Sequence, residues 1–394
     1  MIGLFTYLPT VYGVPQFTFL LVVLFVLIRD RATILFQCKA LFQNPKSASV
    51  NTLLIMAILV LSSINYFFGF HETRWSVNTI HFTLLFIPTL IIAQFLRESD
   101  IRILLYCIAF ECFISFVEFG LGVNTIFFWS PKFTQFQQND LLYFSRPFGL
   151  SANSSVLAFK AFIGLLLLYT YSFKANTRKT LTIVLLATVI ITFARTVSIA
   201  LIVLFAILSV EYFFSKEKRS RTHWFVFGLL LFMVSIASIG GIVYYYDVIV
   251  AQFTRNTGTL EMSGREAIWP FFSNFVSEHF WIGNGSVKVW FDKYHAHNSF
   301  LQLLANHGIA IASAYFILII WNLKRRNAKA IIPILIYSIA QYGIFWGVSL
   351  MDIVFFHFLL SYSPTEESNR FNELPHLLKQ DNANTHNNPK ESYS

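Results

Sequence analysis

Windows of mostly apolar residues recur along almost the whole chain, and this limits what it can fold into. A bilayer core takes about 20 apolar residues per helix. Such windows cover 11–28, 51–70, 78–96, 101–120, 156–173, 180–194, 197–214, 224–245, 306–321, 330–346 and 349–362. The first can also fold as two short pieces broken at Gly13–Pro15, so about 11–12 transmembrane helices are expected. Only 12% of the residues are charged and 56% are hydrophobic, against about 25% charged in an ordinary soluble domain. A soluble enzyme cannot keep that much apolar surface from water. Polar low-complexity sequence of the kind a disordered scaffold needs is lacking. The fold class is therefore an all-α, polytopic integral membrane protein of residues 1–362, followed by a polar tail at 363–394 that reads as disordered and cytoplasmic.

The loops test this division. Segments 29–50, 97–102, 174–179, 215–223 and 322–329 are alternate loops, and they hold 17 of the 29 basic residues. By the positive-inside rule they lie in the cytoplasm. The net charge of +9 is then mostly orientation, not a footprint for nucleic acid. The first residues are apolar, without a basic n-region or a small-residue cleavage site, which reads as a retained membrane segment. Cys107 and Cys112 sit in an apolar run and read as small buried hydrophobes. No Cys/His spacing for a metal, no phosphate-binding glycine loop and no GxSxG serine motif occurs, and no repeat of fixed period is present.

Two outer segments remain long, 121–155 and 246–305, and function concentrates in such loops. Arg195 lies between two apolar runs, where a charge costs about 2.5–3.5 kcal/mol on insertion scales. It reads either as a snorkelling arginine at a short turn or as an anion ligand at a cavity mouth. Arg265, in SGREAIW, falls on the first turn of a helix capped by Ser263 and Glu266, a poor place for a cation unless an anion is near. His297 and Asn298 stand at the start of a helical pattern, where a neutral imidazole can accept a proton from a hydroxyl. His295 and His307 compete for that role, and a structural histidine is the plainer alternative. Arg146 and Asn153 mark a turn and helix start, and Lys160 follows one turn into the next apolar run. Glu111, Glu118 and Asp352 are available as partners for these cations, with the pairing open.

These residues fall in a recognisable order. SGREAIW, WIGNGSV and HNSFLQLLANHGI resemble the large outer loop of the O-antigen ligase and O-antigen polymerase superfamily. FARTVSIALIVL resembles its arginine-bearing turn, and RPFGLSANSSVLA its upstream segment, over most of residues 50–350. The resemblance implies a GT-C-like membrane glycosyltransferase in a bacterial inner membrane, with its active site facing the periplasm in a loop at 246–305. It implies an undecaprenyl-diphosphate-linked oligosaccharide as substrate and membrane lipid around it, with no cofactor, nucleotide sugar or essential metal. A chain-length regulator and a flippase are partners such a reading admits. Arg195 and Arg265 match arginines that hold the donor diphosphate, His297 matches the histidine near the acceptor hydroxyl, and Arg146, Asn153 and Asn298 join as substrate-binding residues. A polymerase is expected, with a ligase as the alternative within the family and a glycan transporter as the alternative from another class.

Overall fold

The helix Glu98–Leu121 is built inside out. Its buried face carries Glu111, Ser115 and Glu118, each 0% exposed, while Phe110 and Phe113 on the other face are each 62% exposed. A helix facing water shows the reverse pattern. Hydrocarbon around the outside explains both halves, because apolar side chains are indifferent there and polar ones must find partners within the bundle.

The computed structural model describes residues 2–14, 18–34, 50–68, 82–136, 146–214, 246, 265–292 and 294–361. In chain order the helices are α1 (Ile2–Tyr7), α2 (Phe19–Arg29), α3 (Val50–Phe68), α4 (Phe82–Phe95), α5 (Glu98–Leu121), α6 (Ser154–Thr170), α7 (Ala175–Thr192), α8 (Arg195–Phe214), α9 (Arg265–Glu278), α10 (Ser299–Asn322), α11 (Arg325–Ala340) and α12 (Leu350–Phe356). Met1–Leu360 makes one compact unit. Among the described residues there is no strand, only two isolated bridges, Val123 with Gln135 and Phe291 with Tyr294. Three helices, α3, α5 and α10, are long and apolar enough to cross a membrane, and shorter apolar helices accompany them. The predicted span 224–245, the basic loop 215–223, Ser263 and the tail 363–394 lie outside the described residues.

One end of the bundle gathers the basic loops. Arg29 Nη1 meets Asp100 at 2.5 Å, and Arg97 pairs with Asp30. Arg102 stacks over Phe173, 5.7 Å from the ring centre, which brings the α6–α7 turn to this end. Asn51 and Asn322 exchange amide hydrogen bonds of 2.9 and 2.8 Å, and Asn327 donates to Phe358 O. Lys329 reaches Glu211 at 3.5 Å, so α8 and α11 run antiparallel. The opposite end carries the long loops.

Residues 11–28 do not form a single span. Instead α1, the short 3-10 turn Leu8–Thr10 and α2 make a hairpin. Gly3 packs on Asp100 so closely that a Cβ would overlap its carbonyl, and Arg29 returns to the same Asp100. Both arms thus begin at the basic end. The first arm rises roughly 15 Å and α2 rises about 16 Å, each about half of a bilayer core. Tyr12 and Gly13, at the tip, are exposed.

The helix α10 is broken at Gly308 (φ 71°, ψ 179°). The turn Phe280–Gly283 fills the break: Ile309 N donates to Phe280 O at 2.9 Å, and Asn65 of α3 donates to Ile282 O at 2.6 Å. A Cβ at Gly308 would overlap the Trp281 carbonyl. Gly308→Ala should therefore cost about 2–4 kcal/mol of stability. A detergent melt of the purified protein checks this, and an unchanged melting temperature would mean that the break is absent.

Candidate functional site

A cavity of about 1100 Å³ opens at the end opposite the basic loops. The hairpin tip, the loop before α6, the start of α9, the His295–His297 loop and the turn between α11 and α12 enclose it. Much of this wall is irregular backbone, and buried polar side chains hold it.

The loop before α6 is pinned by two carboxylates of α5. Glu118 accepts N–H bonds from Phe148 (3.1 Å), Gly149 (2.6 Å) and Ile126 (2.9 Å). Glu111 accepts from Ser151 Oγ at 2.6 Å. Asn153 then caps α6, its Oδ1 accepting from Val156 N at 3.0 Å. Arg146 and Asn153 both line the cavity.

Arg265 is the first residue of α9 and lines the cavity too. Its Nη2 donates to Ala340 O, the last carbonyl of α11, at 2.8 Å. A cation is favoured at a helix C-terminus, so α11 offsets the unfavourable dipole of α9. Ile268, Phe272 and Phe275 of α9 pack with Val289, Ala296 and Ala305. Trp269 Nε1 donates to Ala296 O at 2.8 Å, which ties α9 to the histidine loop.

His297 lines the cavity with its backbone in the left-handed region, φ 50°. Its N–H donates to His295 Nδ1 at 3.2 Å, and its own Nδ1 lies 3.3 Å from Gln341 Oε1. With Gln341 Oε1 assigned as the acceptor of this contact, the proton lies on Nδ1 and the lone pair on Nε2. Burial lowers the pKa of His297 below the usual histidine value, and Arg265 adds to this against the Gln341 hydrogen bond. His295 is pushed down to about 3, first by burial and then by His297, Lys288 and Arg265. Both imidazoles are neutral at neutral pH.

Gln341 is placed by the turn 341–349. Ser299 Oγ accepts from Gly343 N (2.9 Å) and Ile344 N (3.1 Å) and donates to Gln341 O (3.2 Å). Asp352 accepts from Phe345 N (2.6 Å) and Trp346 N (3.0 Å). So the three span carboxylates hold loops, and Glu111 also pairs with the cavity-lining Lys160 at 3.0 Å.

Arg146, Asn153, Arg265 and His297 are thus brought together, and Arg195 and Asn298 are not part of the lining. Arg195 starts α8, at the same end of the bundle as Ala340, because α8 and α11 are antiparallel. Asn298 caps α10, its Oδ1 accepting from Phe300 N and Leu301 N at 2.9 Å each. His307 packs inside the Gly308 break against Ser286 Oγ at 3.0 Å, and His295 is the histidine that joins His297. Two residues were not foreseen. Gln341 carries no signal beyond closing an apolar run. Lys288 sits over Trp346, 3.4 Å from the ring centre, with Tyr342 and Trp290 around it. Burial lowers its pKa to about 7, with Asp352 opposing. Only Trp290 is near Lys288 in sequence, so its surroundings could not be read.

No carboxylate occurs among the described lining residues, which include Arg146, Lys160 and Arg265. Such a lining is chemically suited to an anion, with the His297 imidazole beside it. No known protein family and no curated protein matches the chain.

The depressed pKa of His295 has a consequence for stability. The folded protein keeps this ring neutral down to about pH 3, while the unfolded chain takes up a proton below the ordinary 6.5. Stability from this group is complete above pH 6.5 and is lost as the pH falls toward 3. His295→Gln should flatten the dependence of the unfolding midpoint on pH between 6.5 and 4. An equal slope in the variant would rule out a buried neutral His295.

Proposed function

We propose that the protein is a membrane glycosyltransferase that uses lipid diphosphate-linked glycans, and specifically an O-antigen polymerase. One observation carries the reading: Arg146 and Arg265 converge with neutral His297 on a cavity whose described lining holds no carboxylate. The order of the motifs, shared with the O-antigen polymerase and ligase superfamily, supports it. In this reading the chain crosses a bacterial inner membrane 11 or 12 times in a GT-C-like architecture, the basic end faces the cytoplasm and the cavity faces the periplasm.

The acceptor is a hydroxyl of an incoming undecaprenyl diphosphate-linked repeat unit. Its oxygen attacks the anomeric carbon of the growing glycan, and the bond from that carbon to the diphosphate oxygen breaks. The electron pair leaves on undecaprenyl diphosphate, whose added charge Arg146 and Arg265 stabilise. The hydroxyl proton passes to the Nε2 lone pair of His297. Arg195, at the same end of the bundle, adds positive potential near the cavity rim. Gln341 fixes the tautomer, and the surrounding loops fix the approach.

Arg265→Ala and His297→Ala should each lower polymer formation about 100-fold or more while the protein still inserts. Deletion of the gene, read by surface glycan length, tests the reaction itself. Single repeat units on lipid A-core are expected. Core without repeats, with polyprenyl-linked polymer accumulating, would make the protein a ligase. Loss of lipid-linked glycan from the periplasmic face would make it a transporter, and an unchanged glycan ladder would overturn the reading.

A further inference from the structure

The described cations lining the cavity differ in what their protons do. Lys160 lies six residues into α6, about 9 Å from the helix start, and is 1% exposed. Its ammonium donates to Thr10 O at 2.8 Å and to Glu111 Oε1 and Oε2 at 3.1 and 3.0 Å. An ammonium has three protons, so all three are engaged. Its other neighbour is the Tyr7 ring, 5.1 Å from the ring centre. Glu111 is equally committed, accepting also from Tyr7 Oη (2.6 Å) and Ser151 Oγ (2.6 Å).

This pair joins five pieces of chain: α1 through Tyr7, the 3-10 turn through Thr10, α5 through Glu111, the loop before α6 through Ser151, and α6 through Lys160. The hairpin tip above it is held by Tyr12 N donating to Leu150 O at 2.7 Å. Residues 9–14 line the cavity. The arms of the hairpin reach only about half-way through a bilayer core; among the described residues the tip is held by this junction, by the Tyr12 bond and by Lys132 over the Tyr12 ring at 5.4 Å.

We propose that Lys160 and Glu111 are a latch that seats the hairpin tip as the floor of the cavity, and that Lys160 is a positioning residue and not a ligand of the anion. A diphosphate oxygen would have to displace Glu111 or the Thr10 carbonyl to reach it. Removing one partner of such a pair leaves a buried charge without compensation, whereas removing both charges together is far better tolerated. A phosphate ligand would behave differently: its loss would not be repaired by neutralising Glu111.

The test has two readouts, because the glycan readout rests on the function proposed above and the other does not. Tyr12→Cys with Leu150→Cys, treated with a bis-maleimide in membranes, reports whether the tip is seated. Cross-linking should fall about tenfold when Lys160→Met or Glu111→Gln is added alone, and should return to within about threefold in the double variant. Polymer formation in the chain without the added cysteines should follow the same order. If single variants fail to insert, insertion and cross-linking of the double variant still decide, since its failure would show that the pair is not a matched latch. Unchanged cross-linking in the single variants would overturn the latch. Cross-linking restored in the double variant with polymer still absent would overturn the positioning role and make Lys160 a ligand. A chain that makes no polymer in any form, with cross-linking in the expected order, would remove the polymerase reading and leave the latch standing.

Discussion

Backbone N–H groups buried among apolar helices must be hydrogen-bonded, and in this protein carboxylates of the spans do it. The loops 146–153 and 341–349 are irregular chain packed largely inside the bundle. An unsatisfied buried donor costs about 1–3 kcal/mol. Glu118 alone accepts three such N–H bonds, and Asp352 accepts two together with the Ser349 hydroxyl at 2.9 Å. A carboxylate suits this task because it only accepts and offers about four lone-pair directions. The cost of an acid within a bundle is thereby turned into a defined loop path.

The electrostatics of the cavity follow from that assignment. Glu111, Glu118 and Asp352 lie within reach of the site but are turned toward backbone, hydroxyl or the Lys160 ammonium. None of the three is among the described residues that line the cavity. Lys288, stacked on Trp346, adds a further cation behind the wall. Burial, with the neighbouring cations adding to it, keeps both histidines neutral. A neutral imidazole beside an anion-binding cavity is a base that does not compete with the anion for the arginines.

Much of this was legible from periodicity and from charge placement. Apolar windows located the helices from α3 to α8 and from α10 to α12, because the length of an apolar run is a direct record of burial or lipid contact. The arginines and His297 stood out because charge is scarce. The hairpin was not settled: residues 11–28 read as one apolar span or two pieces, and hydropathy is equal for a crossing helix and for two half-length arms. Only Gly3 against Asp100 and Tyr7 on Glu111 distinguish them, and both are contacts across about a hundred residues. Asn298 reads identically as a ligand or as a cap, since both need a short polar side chain at a helix start. Pairing of the buried carboxylates was equally beyond reach, because it depends on which helix faces each one.

The strained residues show how tightly the two sides of the site are joined. His297 and Phe345 are both left-handed, with φ of 50° and 64°. Histidine visits that region now and then, but a bulky phenylalanine there is a true outlier. Each such residue costs about 1–3 kcal/mol and persists only when its surroundings over-determine it. Those surroundings are one network. Phe345 N is held by Asp352, and its carbonyl by Tyr342 Oη at 2.8 Å. The same turn presents Gln341 to His297, and Ser299, two residues after His297, accepts from Gly343 and Ile344. The direction of the Nε2 lone pair is therefore set by two strained backbones that support each other. A local change in either loop would move the His297 imidazole relative to Arg265.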